Sequence, residues 1–136
     1  DQTETQKARK EFERLIARFP QSKFAIVAEK NLREVKQRLA EHEFYVGEFY
    51  YRTKKYEAAL KRFELIQREY AGLGLDYKTN RFIEETKLRM REEQDRKAKG
   101  VQKAAEARKA AEAKKAQKAP EKAPAQPANA PPQPGK

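Results

Sequence analysis

The chain has 136 residues, of which 32 are basic and 21 acidic, for a net charge of +11. That length suits one ordinary domain. With no cysteine and a single histidine, His42, it offers no thiolate nucleophile, disulfide framework, sulfur-ligated zinc or multi-histidine metal site, and no cofactor is expected.

All thirteen aromatic residues lie between Phe12 and Phe82, whereas six of the seven prolines lie at or beyond Pro120. A core can therefore form only in the first two thirds. Residues 1–90 carry a net +5 and residues 91–136 a net +6, so the tail is the more densely basic part. No apolar run approaches the ~20 residues of a membrane-spanning helix. No signal peptide opens the chain, which begins at Asp1 without Met and is expected to be a processed or truncated piece.

Residues 4–19 read as an amphipathic helix. Ala8, Phe12, Leu15, Ile16 and Phe19 recur at spacings of three and four, which places them on one face. Thr3 and Gln6 suggest a capping box at its start, and Pro20 stops it. Ser22 suits the N-cap of a second, long helix to about Arg52, in which Gly47 is a candidate kink. Thr53-Lys54-Lys55 is a polar break. A third helix follows with Tyr56, Ala59, Leu60, Phe63, Ile66 and Tyr70 in helical register, then a turn at Gly72 and Gly74. Asp76 is expected to cap a last helix holding Phe82 and Ile83. Residues 91–119, rich in Ala, Lys and Glu, should form a solvated helix with nothing to bury, weakened at Gly100. Residues 120–136 should be disordered.

Two stretches echo each other. Ala8, Phe12, Leu15 and Pro20 have the same offsets as Ala59, Phe63, Ile66 and Ala71. This is the second-helix pattern of a tetratricopeptide repeat, in which small residues let paired helices approach and aromatics fill the space between them. Gly47 and Tyr50, then Tyr56, complete the pattern for the second unit, with Glu43 where a large apolar residue is usual. Ala8, Phe12, Gly47, Tyr50, Tyr56, Ala59 and Phe63 are accordingly the expected packing residues. The chain reads as all-α: a helical-hairpin solenoid fragment over 1–90, incomplete at its N-terminus, then a charged helix over 91–119 and a disordered end. The first helix lacks a pairing helix, so the isolated piece is expected to be marginally stable or self-associating.

The two units are 51 residues apart, against a generic period of about 34, and the surplus falls inside the long helix. In that detail, and in the stretches 12–22, 38–51 and 56–60, the chain resembles the YfiO/ComL-type family of outer-membrane assembly lipoproteins. Residues 73–75 (Leu-Gly-Leu) resemble the family's C-terminal region. The resemblance covers about residues 4–90 and implies the middle-to-late repeats of a periplasmic solenoid without enzymatic activity. It further implies a place at the periplasmic face of the outer membrane of a Gram-negative bacterium, held by a lipid on an N-terminal cysteine that has no counterpart in this chain. The implied partners are the periplasmic domains of the β-barrel insertase, partner lipoproteins and unfolded outer-membrane proteins.

No residues are arranged for catalysis. His42 lies between Glu41 and Glu43, but neighbours on a helix diverge by about 100° and cannot converge on one ligand. Gly72-Leu73-Gly74 lacks the strand and third glycine of a dinucleotide loop. The usable feature is the inner groove of the solenoid, toward which the repeat register turns Glu41, Phe44, Tyr45, Glu48, Tyr51 and Arg52. Aromatic area edged by charge suits a protein partner. Phe44 and Tyr45 have an equal claim to packing against the preceding unit, with Phe44 inclined to the core, so Tyr51 and Arg52 are the better contact candidates. Rival readings are another repeat adaptor, such as one coordinating envelope division, or a basic protein attracted to nucleic acid or anionic lipid. The tail has no aromatic to stack on bases, so no nucleic-acid partner is expected.

Overall fold

The computed structural model describes residues 2–119, 124, 125, 127–130, 132, 134 and 135, and among these residues there is no strand. Four helices follow in order: α1 (Gln2–Arg18), α2 (Lys23–Arg52), α3 (Tyr56–Glu69) and α4 (Asp76–Gln117). The chain divides into two compact units, Asp1–Arg96 and Lys97–Lys136.

Each boundary has a local cause. Before α2, the Ser22 hydroxyl accepts the Phe24 N–H at 3.2 Å, satisfying one of the donors that a helix start leaves orphaned. After α2, Lys54 adopts φ 60°, the left-handed conformation that closes a helix end. Its N–H donates to the Tyr51 carbonyl and that of Lys55 to the Tyr50 carbonyl, the paired bonds of a Schellman turn. Gly72 and Gly74, at φ 77° and 90°, make the turn before α4.

Four expectations change. Thr3 lies inside α1 and so cannot cap it, because a cap residue must stand outside the helical conformation. Gly47 does not break α2, and Gly100 does not interrupt α4. Asp76 is the first residue of α4, and its carboxylate turns back to accept the Gly72 N–H at 3.0 Å, tying the turn instead of capping the helix. The expectation of disorder over 120–136 falls in part outside the described residues.

In the first unit the core lies between the C-terminal half of α2, all of α3 and the first turns of α4. Leu39, Ala40, Phe44, Ala59, Phe63, Ile66, Tyr70 and Ile83 form one buried cluster. Gly47 is buried against α3, and an added Cβ would stand 2.6 Å from Phe63 Cε1. Close approach, not backbone freedom, is what this position demands. Phe82 of α4 is the hub of the aromatic packing: its ring centroid lies 5.3 Å from Phe44, 5.7 Å from Tyr51 and 5.2 Å from Phe63. Such tilted and edge-on pairs suit the ring quadrupoles. Glu43, in its usually apolar position, is mostly buried and bonds Arg62 of α3 at 2.8 Å, so a charge pair replaces an apolar contact there.

The grip on α1 is different. It packs on α2 at the small residues Ala25 and Ala28 but buries none of its own side chains fully. Its Arg9 guanidinium reaches Glu13 at 3.0 Å and then α3, at Tyr70 Oη (3.3 Å) and Glu69 (3.5 Å). Lys36 adds a second cation to Glu13 at 3.3 Å. Partial burial pushes the Glu13 carboxyl up, but Arg9 and Lys36 outweigh it and hold the group below its ordinary value.

Candidate protein-docking face

On α2, Glu41, Tyr45, Glu48 and Arg52 are spaced four, three and four residues apart. That spacing confines them to a strip about 60° wide on the helix. Their surroundings grade along it. Glu41 and Arg52 are exposed, and Tyr45 is 62% exposed. Gln37 donates to the Glu41 carboxylate at 3.3 Å. Glu48 is half-buried, with the Lys78 ammonium of α4 at 3.9 Å. That same ammonium sits 4.4 Å from the Phe44 ring centroid, a cation–π contact at the edge of the core.

Tyr51 has a different setting. Its ring packs edge-on against Tyr56 and Phe82, and its hydroxyl donates to Glu85 of α4 at 2.7 Å. Burial and the neighbouring Glu85 carboxylate push the hydroxyl above its ordinary value, with Arg89 pulling the other way. Tyr51 thus joins α2 to α4, and the open part of the strip is Glu41, Tyr45 and Arg52. Phe44 is 4% exposed and belongs to the core.

Among the packing candidates, Gly47, Ala59 and Phe63 are buried, whereas Ala8, Phe12, Tyr50 and Tyr56 are half-buried. His42 is exposed. Among the described residues there is no group of three or more His, Asp or Glu side chains that could hold a metal ion. None of the described helices is long and apolar enough to cross a membrane.

Lys78, Phe82 and Glu85 were not singled out as site or packing residues by sequence reasoning. Their common feature is spacing: 78, 82 and 85 run down one side of α4, where Lys78 meets Phe44 and Glu48, Phe82 meets Phe44 and Tyr51, and Glu85 meets Tyr51. Antiparallel or parallel helix pairs carry that signal only once the pairing is known.

Comparison with known proteins gives a consistent result. The model of the YfiO family, described as outer membrane lipoprotein, matches residues 1–109. A curated relative, the outer membrane protein assembly factor BamD of Buchnera aphidicola subsp. Acyrthosiphon pisum (strain APS), is 32% identical over 71 residues. The match takes in 52% of this chain and 29% of the relative.

Proposed function

Because the chain belongs to the YfiO family of outer membrane lipoproteins, we propose that it is a non-enzymatic scaffold in the assembly and insertion of outer-membrane β-barrel proteins. It works at the periplasmic face of the outer membrane, in keeping with a family described as outer membrane lipoproteins. Its docking face is the open strip of α2, and its main partner is the set of periplasmic domains of the insertase. Partner lipoproteins and unfolded outer-membrane proteins are further occupants of the same solenoid.

One observation carries this reading: Tyr45 stands 62% exposed between two exposed charges of opposite sign, on a helix whose other side is locked into the core. An exposed tyrosine offers a large, rigid contact area at low entropic cost, and Arg52 adds a planar set of five donors. The helix beneath does not have to order on binding, because Phe44, Gly47 and Tyr51 already fix it.

The test is capture of the full chain by immobilised insertase periplasmic domains. Tyr45→Ala and Arg52→Glu should each weaken capture about tenfold or more, as expected for central anchors. Tyr77→Ala, an equally aromatic and even more exposed position, should leave it unchanged. Parent-like binding by both strip variants would refute the assignment of this face.

A further inference from the structure

The segment of α4 beyond residue 96 buries nothing, yet its charges are not scattered. At about 100° per residue, Lys99, Lys103 and Lys114 line one edge of a half-cylinder, and Arg108 and Lys115 line the other. Between the edges run Gly100, Ala104, Ala107 and Ala111. Outside that half, Glu112 lies beside Ala105 and Val101, Glu106 just beyond the Lys99 edge, and Lys109 between them. Every one of these residues is exposed, and a Cβ added at Gly100 would meet nothing within 4 Å. The cationic face is open along its length.

We propose that this face adsorbs to the phosphate layer of an anionic lipid bilayer. The small central strip lets the helix backbone lie close to a flat surface, while the long cationic arms on both edges reach down to the phosphates. The strip has no bulky apolar residue, so the helix rests on the headgroups and does not insert among the acyl chains. A nucleic acid fits less well, because the face holds no aromatic to stack on bases. The choice of a lipid surface also rests on the outer-membrane role proposed above. The adsorption needs no insertase domain, so it stands or falls in a separate measurement.

The experiment is flotation of the full chain with vesicles of phosphatidylcholine containing about 30 mol% phosphatidylglycerol, against pure phosphatidylcholine, at low and raised salt. Binding should occur on the anionic vesicles alone and fall about tenfold or more as salt is raised. Two double variants separate the face from mere net charge. Ala104→Glu with Ala111→Glu puts two acids in the middle of the face and should abolish binding. Ala98→Glu with Ala105→Glu changes net charge equally on the other side and should weaken binding less than about threefold. Circular dichroism of both variants checks that the helix persists. Failure to float with anionic vesicles, equal loss in the two double variants, or tighter capture by a mixed-sequence DNA duplex in the same buffer would each overturn the proposal.

Discussion

Gly47→Ala should destabilise the first unit, although alanine is the better helix former. The new Cβ would meet Phe63 Cε1 at 2.6 Å, Cζ at 2.9 Å and Cδ1 at 3.1 Å. The ring has little room to move: Phe63 is fully buried, with Phe44 at 5.4 Å and Phe82 at 5.2 Å between centroids. Relief therefore demands that α2 and α3 part slightly or that three rings repack together. Overpacking of this kind costs about 1–3 kcal/mol, against a gain of about 1 kcal/mol in helix propensity. With the steric cost near the middle of that range, it should win by about 1 kcal/mol, which lowers the melting midpoint by about 4–8 °C. All six tyrosines lie in residues 45–77, so tyrosine fluorescence during a urea titration reports on this core and not on the charged extension. Phe63→Leu placed in the Gly47→Ala background should cost less than in the parent, because it removes the atoms that clash. Gly100→Ala supplies the opposite sign: nothing stands within 4 Å, so it should raise far-ultraviolet helicity and leave the core midpoint in place. A Gly47→Ala midpoint equal to or above that of the parent would refute the close-approach account.

Two other substitutions test the joints between helices. Lys54→Gly should stabilise the first unit by about 1 kcal/mol in the same urea titration, since it removes the strain of a side chain at φ 60° while keeping the Schellman bonds. Tyr51→Phe should cost about 1 kcal/mol at neutral pH by deleting the bond to Glu85. Because the folded state raises the Tyr51 hydroxyl above its unfolded value, that stabilisation is complete below about pH 10 and disappears as pH rises through the higher folded value. Parent and Tyr51→Phe should thus differ in stability at neutral pH and converge in strong alkali, which urea titrations across that range would show.

The parts of the fold that repeat were legible in the residues; the parts that do not were hidden by chemistry. The offsets shared by Ala8/Phe12 and Ala59/Phe63 marked α1 and α3 as equivalent, and the small Gly47 pointed to a tight helix crossing. The same glycine also suggested a kink, but α2 runs unbroken through it, and its missing side chain accommodates the Phe63 ring. The docking of α4 was harder to see. Two of its three fully inward residues are Thr79 and Thr86, which an apolar pattern scores as polar. Thr86 satisfies its hydroxyl within the helix, donating to the Phe82 carbonyl at 2.6 Å, so it needs no partner from another element. Tyr51 and Glu85 are 34 residues apart, and a single long-range bond leaves no periodic trace. On α2, helical spacing puts four of the candidates on one strip and leaves Tyr51 to its side, and only α4 separates Tyr51 and Glu48, which it touches, from the residues it leaves open.

The contrast in how α1 and α3 are held gives the first unit two tiers of cohesion. Phe63 and Ile66 are anchored by oil, whereas the far side of α1 is tied to α3 chiefly through a single guanidinium and its oxygens. Ionic ties weaken with salt and acid, and buried rings do not. The tie between α1 and α3 should therefore loosen with salt or acid ahead of the buried rings, while the packing of α1 on α2 persists.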